Sequence, residues 1–141
     1  MTQSDQPDFE SAAALLPPYA LALGMSVVGF NNRMPVLGID FAESVEGRVG
    51  FVHGGAIGGL LEMSALVALR LALANNSVRL KPVNITVEYL RGAGQQRTFA
   101  LARITRLGRR IANVSAEAWQ DDGARPIATA WINIRLSQSE A

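Results

Sequence analysis

The residues best suited to chemistry in this 141-residue chain are its only histidine, His53, and an acid nine residues later, Glu62. Gly54 and Gly55 follow the histidine and begin a long apolar segment that predicts a buried helix. The free N–H groups and positive dipole end of a helix N-terminus suit an oxyanion. A carboxylate within an apolar helix is costly to desolvate, so it is rarely there for solubility. We therefore predict a reaction site built from this helix start and Glu62.

Helix geometry sets a condition on that site. Gly54 and Glu62 are eight residues apart, which is about 12 Å along a helix axis. An oxyanion donor and an attacking group must meet within roughly 3 Å of the same carbonyl. We therefore predict a homodimer in which two antiparallel copies of the helix place Gly54 of one opposite Glu62 of the other.

Simpler structural interpretations remain open. Glu62 could pair with Arg70 or reach the surface, and a single histidine beside glycines is more often structural than catalytic. Other catalytic devices lack their residues. The chain has no G-x-S-x-G motif, and the glycines match neither a dinucleotide-binding motif nor a phosphate-binding loop. With one histidine, no cysteine and scattered acids, no metal site is expected.

The pattern of elements predicts a single α+β domain. Asp8 is expected to cap a short helix over residues 9–16 that Pro17 and Pro18 would end. The central helix is expected to run from residue 54 to the Asn75–Asn76 pair. A curled antiparallel sheet should wrap around it, with its second half a meander and a hairpin turn at residues 121–123. Strands are predicted at residues 25–31, 36–41, 83–89, 99–106, 111–120 and 127–136, with residues 43–50 a further strand or a loop.

Composition limits the function classes. The formal net charge is +1, from 13 basic and 12 acidic residues, so no nucleic-acid partner is expected. The polar N-terminus and the absence of cysteine predict a cytoplasmic protein without a signal peptide. Residues 56–74 approach the length of a membrane span, but Glu62 and Arg70 would each cost roughly 2.5–3.5 kcal/mol near its centre. A core helix is the better interpretation.

Six arginines crowd into twenty residues of the chain, 91–110. Planar guanidinium groups suit bidentate recognition of phosphate, although solvated strand faces explain them equally well. The cluster comprises Arg91, Arg97, Arg103, Arg106, Arg109 and Arg110.

Three motifs together resemble the hotdog-fold acyl-CoA thioesterases of the PaaI type. They are Gly50-Phe-Val-His-Gly-Gly55 with the acid Glu62, Val83-Asn-Ile-Thr-Val-Glu-Tyr-Leu-Arg-Gly-Ala93, and Arg106-Leu-Gly-Arg-Arg-Ile111 leading to Ala116-Glu117. The resemblance covers roughly residues 25–136. It implies a hotdog fold, with residues 1–24 a flexible N-terminus containing a short helix and residues 25–141 the hotdog domain. It also implies homodimers with a continuous sheet, often paired into tetramers.

The implied activity is hydrolysis of an acyl-CoA thioester, with CoA as part of the substrate and no separate cofactor. By resemblance Glu62 is the general base or the nucleophile, Gly54 supplies the oxyanion N–H, and His53 helps to hold the thioester end. The segments implied to meet substrate or CoA contain Gly55, Arg91, Gly92, Gly108, Arg109 and Arg110. Many relatives carry an Asn where this chain has Gly47-Arg48, and Ser or Thr where it has Pro82.

Two other functions compete with hydrolysis. One is a non-catalytic acyl-CoA-binding protein, such as the ligand domain of a regulator built on the same fold. Such regulators usually carry an appended DNA-binding helix-turn-helix, and the residues before Met25 are too few and too acidic for one. The other is a dehydratase or hydratase, for which the chain lacks a second histidine. The acyl group itself stays open, because Met63, Leu66 and Tyr89 would suit an aliphatic chain or an aromatic ring.

Overall fold

The computed structural model describes residues 8–73 and 75–138. Three α-helices and six strands form the described chain, and a 3₁₀ turn at Glu43–Val45 stands where a strand or loop was expected. In chain order they are α1 Phe9–Ala13, α2 Pro18–Ala22, β1 Met25–Asn31, β2 Met34–Ile39, α3 Gly54–Ala72, β3 Val78–Tyr89, β4 Thr98–Leu107, β5 Ile111–Trp119 and β6 Ala128–Gln138.

The predicted N-terminal helix is present but shorter. Asp8 caps α1, because its carboxylate accepts a 2.6 Å hydrogen bond from the Ser11 amide, and this bond lowers the pKa of Asp8. The helix ends at Ala13 rather than Leu16. Pro18 opens α2 instead of ending a helix, since proline is tolerated in a first turn.

The segment before β1 packs on the core. Within its described part, residues 8–24, the buried side chains are Ala12, Leu16 and Ala20. Of residues 1–24, which were expected to be flexible, residues 1–7 lie outside the described residues, and the domain boundary at residue 25 stays a prediction.

The first hairpin agrees with the sequence prediction. β1 and β2 pair antiparallel from Met25 opposite Ile39 to Asn31 opposite Met34. Asn32 and Arg33 at the tip have φ of 49° and 70°, the left-handed conformation that a tight hairpin turn with primed geometry requires.

The strand order corrects the predicted meander. The sheet runs β1-β2-β4-β5-β6-β3, all antiparallel, so that of the four strands after α3 only β4, β5 and β6 follow one another in space. β3 lies beside β6 at the far edge, and residues 90–97 cross to β4. That connection is longer than a hairpin loop, so it can carry the chain past β6 and β5, which lie between β3 and β4 in the sheet.

The concave face of the sheet holds α3, as the sequence predicted. The helix contacts β2, β4, β5, β6 and β3. Leu60, Leu61 and Leu69 have no exposed surface, and each contributes about 1.5–3 kcal/mol by burial. By length and composition α3 could cross a membrane, but more than half of it is buried inside the domain. It is therefore the core helix of an α+β hotdog fold.

The two edges of the sheet are β1 and β3. β3 is twelve residues long and carries two large apolar side chains that are more than half exposed, Val83 and Tyr89. A long edge with exposed apolar residues is a template for pairing with another chain.

Candidate functional site

A tight loop brings the chain to the start of α3. Gly50 has a φ of +85°, where a side chain would be strained, and its amide donates a 2.7 Å hydrogen bond to the carboxylate of Glu46. Phe51 donates to the carbonyl of Arg48, and Glu46 bridges to Val52. The glycine in front of the histidine motif therefore closes a loop that fixes the helix entry.

His53 is the N-cap of α3. Its Nδ1 atom accepts a 2.8 Å hydrogen bond from the Gly55 amide, and its own amide donates to the carbonyl of Val45 at 2.7 Å. Because Nδ1 accepts, the neutral ring carries its proton on Nε2, which can donate to a ligand. Of the three amides expected to face an oxyanion, those of His53 and Gly55 therefore already donate hydrogen bonds within the chain.

The amide of Gly54 is the one that stays free. It is the first residue of α3 and meets no acceptor within residues 8–73 and 75–138. It also carries part of the positive end of the helix dipole. Of the predicted donors, Gly54 alone keeps the capacity to bind an oxyanion.

Tyr89, at the end of β3, holds this first turn. Its hydroxyl donates a 2.8 Å hydrogen bond to the carbonyl oxygen of Gly54. A Cβ at Gly58 would lie 3.3 Å from the same hydroxyl, so the ring lies against the glycine face of the helix. The sequence had indicated Tyr89 only as a pocket-lining residue, because the two partners are 35 positions apart.

An open cleft of about 520 Å³ lies in front of Gly54. Apolar and cationic groups share its walls, which suits a ligand with an apolar body and a charged end. Arg48 lies over the ring of Phe51 at 4.3 Å, in the position where many relatives were expected to carry an Asn. The lining residues include Arg48, Phe51, His53, Gly54, Ile57, Tyr89, Arg91 and Gly92.

Arg91 and Gly92 line this cleft, and each also has a structural role. The Arg91 guanidinium donates to the carbonyl oxygen of Arg125 in the β5–β6 loop. A Cβ on Gly92 would lie 3.0 Å from the ring of Phe51, so glycine permits that close packing. The next residue, Ala93, accepts a hydrogen bond from Val52 and ties the segment to the helix entry.

Glu62 lies outside this cleft. It is partly buried on the third turn of α3, on the helix stripe that Gly58 and Leu66 share. It forms no ion pair with Arg70 and no hydrogen bond with another described residue. Within one chain, Glu62 therefore does not reach the free amide of Gly54, because the rise of the helix separates the two residues by about 12 Å.

The third predicted segment is remote from the other two. Gly108, Arg109 and Arg110 form the β4–β5 turn and line a second cavity of about 700 Å³, which Leu73 beyond the end of α3 also borders. Nineteen residues of helical rise, about 28 Å, separate Leu73 from Gly54. The arginine cluster is also dispersed, because Arg97 pairs with Asp40 at 2.7 Å away from both cavities.

Comparison with known families decides which family this fold and site belong to. The model of the thioesterase superfamily matches residues 49–127, more than half of the chain. The chain belongs to the thioesterase superfamily. The predicted hotdog-fold thioesterase relationship is thereby confirmed, and thioester hydrolysis is its general class of activity.

Solved structures agree with this assignment. Thioesterase PA1618 from Pseudomonas aeruginosa is 23% identical, with a TM-score of 0.83 over 94% of this chain and 95% of that one. A putative thioesterase from Ralstonia eutropha JMP134, a phenylacetic acid degradation-related protein, is 24% identical, with a TM-score of 0.74 over 85% and 90%. A protein from Chromobacterium violaceum reaches 32% identity and a TM-score of 0.70 over 87% and 85%. Curated protein sequences gave no significant match.

Proposed function

We propose that this protein is an acyl-CoA thioesterase that hydrolyses its substrate to a free acid and CoA. The observation that carries the proposal is the unpaired amide of Gly54, placed at a helix N-terminus in an open cleft. A thioester carbonyl bound there would develop negative charge in the transition state, where a preorganised N–H is worth most. Thioesterase superfamily membership supplies the reaction class.

Glu62 is the proposed acid partner in the reaction. As a general base it takes a proton from water while the water oxygen attacks the carbonyl carbon, and collapse of the tetrahedral intermediate expels the CoA thiolate. As a nucleophile its carboxylate attacks the carbonyl carbon and expels the CoA thiolate, which leaves an acyl-enzyme anhydride that water then hydrolyses. Hydrolysis in ¹⁸O water under single-turnover conditions distinguishes the two, since only the anhydride route places label in the enzyme carboxylate.

The proposed active unit is a homodimer with two shared sites. Gly54 of one copy faces Glu62 of the second, with the helices antiparallel about a two-fold axis near Gly58. The free edge of β3 would pair with its equivalent and continue the sheet across the dimer. Pairing of two such dimers into a tetramer is compatible with this arrangement.

The same arrangement gives the remote arginines a role. If Gly54 faces Glu62 of the second copy, Leu73 of that copy lies about 16 Å beyond Gly54, past the N-terminus of α3. Arg109 and Arg110 border Leu73, so they would stand where the phosphates of CoA extend away from the thioester. Arg91 would contact the substrate nearer the cleft. We place the protein in the cytoplasm, with CoA as part of the substrate and no separate cofactor.

Release of free CoA from a panel of acyl-CoAs, measured with a thiol reagent, tests the proposal. The protein has no cysteine that would react with the reagent. The expected result is multiple turnover of at least one acyl-CoA that depends on Glu62. Tight binding of acyl-CoA without release of thiol would favour the non-catalytic binding protein instead.

A further inference from the structure

The side chain of Gln120, the residue that follows β5, holds the connection between β3 and β4. Its Oε1 atom accepts a hydrogen bond from the Gly94 amide at 3.1 Å, and its Nε2 atom donates to the Gly94 carbonyl oxygen at 3.0 Å. Nε2 also donates to the carbonyl oxygen of Gln96 at 3.3 Å and to Oγ1 of Thr98 at 3.2 Å. The backbone groups fix the orientation of the side-chain amide, because an N–H needs its oxygen and a carbonyl needs its nitrogen.

The connection, residues 90–97, needs such support. These residues belong to no helix or strand, so their backbone groups must find partners elsewhere. In the first half, the amides of Leu90 and Arg91 both donate to the carbonyl oxygen of Ile127, at 2.8 and 3.1 Å. In the second half, Gln120 supplies the partners instead. Two separate anchors therefore hold the two halves of the connection.

The second half of the connection contacts the entry to α3. Ala93 is buried, and its carbonyl oxygen accepts a 2.9 Å hydrogen bond from the Val52 amide. Val52 directly precedes His53, the N-cap, and lies two residues before Gly54. Gln120 grips both backbone groups of Gly94, the residue next to Ala93. A continuous series of hydrogen bonds and peptide bonds thus joins the end of β5 to the turn that carries the free amide.

We propose that Gln120 is a positioning residue for the reaction, which holds Ala93 against Val52 and so fixes the direction of the Gly54 amide. The inference rests on the proposed thioesterase function. Gln120 is not among the residues that line the cleft, so it acts through the backbone and not by touching the substrate. An oxyanion donor stabilises the transition state more than the bound substrate, so its misalignment lowers kcat. The Arg91 side of the cleft keeps its own anchor, so substrate binding should change little.

The first test is kinetic. Gln120→Met keeps an unbranched side chain and removes the four hydrogen bonds. We expect kcat for acyl-CoA to fall about tenfold, while KM stays within about threefold. Gln96→Met, at an exposed site in the same connection, is the matched control and should keep both constants. If the methionine variant does not fold, Gln120→Glu, which loses the Nε2 donor but keeps an acceptor for the Gly94 amide, gives the same comparison. An unchanged kcat in a folded variant overturns the proposal.

A double variant separates positioning from a merely structural role. Gly54→Pro has no amide at this position, so Gln120 then has no donor to orient. Adding Gln120→Met to Gly54→Pro should therefore lower kcat less than about twofold, although the same change lowers it about tenfold in the wild type. If the two losses multiply, Gln120 affects the cleft in some other way and the proposal is wrong.

Amide hydrogen exchange, followed by NMR, tests the contact without catalysis. In Gln120→Met the Val52 amide should exchange at least tenfold faster, while the amide of Val114, in the interior strand β5, keeps its rate. If no acyl-CoA is hydrolysed but exchange at Val52 depends on Gln120, the thioesterase proposal fails and the effect of Gln120 on the helix entry stands. Equal exchange at Val52 in both proteins overturns that effect and the positioning role with it.

Discussion

The hydroxyl of Tyr89 and the carbonyl oxygen of Gly54 are joined by a hydrogen bond of 2.8 Å. The bond links the end of the edge strand β3 to the first turn of α3, the turn that carries the unpaired Gly54 amide. The N-cap residue His53 and the side chain of Tyr89 act on the same turn. His53 accepts a hydrogen bond from the Gly55 amide, and Tyr89 donates one to the Gly54 carbonyl. Their joint effect is to fix the direction in which the free N–H points.

Replacing Tyr89 by Phe should lower activity through this turn. The change removes one hydrogen bond, worth about 0.5–1.5 kcal/mol net, so we expect a roughly two- to tenfold fall in kcat for acyl-CoA. Tyr19→Phe is the control, since Tyr19 lies against Gly59 and its hydroxyl makes no hydrogen bond to Gly54. Steady-state kinetics of both variants measure the effect. An unchanged kcat in Tyr89→Phe would show that the bond does not orient the amide.

Glu62→Gln should keep the fold and abolish turnover. The substitution preserves shape and removes a partly buried charge that has no partner among the described residues, so the melting temperature should not fall. Turnover should fall by at least about a hundredfold, as expected when a base or nucleophile is removed. Glu10→Gln, an exposed change in α1, is the control. Retention of more than about a tenth of wild-type kcat would remove Glu62 from the mechanism.

Arg109→Ala and Arg110→Ala should affect binding rather than chemistry. Phosphate contacts far from the carbonyl contribute equally to ground and transition states, so KM for acyl-CoA should rise while kcat stays within about twofold. Short acyl thioesters that lack the nucleotide should be hydrolysed as by the wild type. Arg103→Ala, on the exposed part of β4, is the control and should leave the kinetic constants for both substrates unchanged. Equal losses on both substrates would contradict contact with the nucleotide.

Gly54→Pro tests the oxyanion donor with little disturbance of the helix. Gly54 is the first helical residue, where proline is favoured, and His53 has a φ of −62° and a ψ of 135°, which a following proline permits. A Cβ at this position would lie 3.4 Å from the Tyr89 ring, an ordinary contact distance. We expect a folded protein in circular dichroism whose kcat falls about a hundredfold, as for other oxyanion donors.

Mixing two inactive variants tests the shared site. Gly54→Pro and Glu62→Gln protomers, allowed to exchange subunits, should form heterodimers with one working site. At equal amounts, half of the dimers are mixed and each has one site of two, so about a quarter of wild-type activity should return. Native mass spectrometry confirms the exchange. If mixed dimers form and activity does not return, or if a monomer is fully active, the shared-site hypothesis is wrong.

Local sequence signals were sufficient for most of the elements. Alternation of apolar and polar residues predicted β4, β5 and β6 to within a few residues, and the apolar run after Gly54 predicted α3, because these patterns report which face of each element meets the core. Pairing between strands carries no such local signal. The place of β3 beside β6, and the second helix that opens at Pro18, were therefore missed.

Some features of the candidate site can likewise be predicted from the sequence, and others depend on the fold. The sequence by itself determined that a glycine-rich helix start and Glu62 share one helix, and the 1.5 Å rise then predicted that a site using both would need two chains. Only the tertiary structure decided that the Gly55 amide is bonded to His53, that the Gly54 amide meets no acceptor among the described residues, and that Tyr89 holds their turn. It alone separated Arg91 from Arg109 and Arg110, and it left Nη1 of Arg70 buried without a hydrogen-bond partner in the described part of the chain. Those outcomes depend on which distant side chains meet, and hydrogen bonds across the fold have no fixed spacing along the chain.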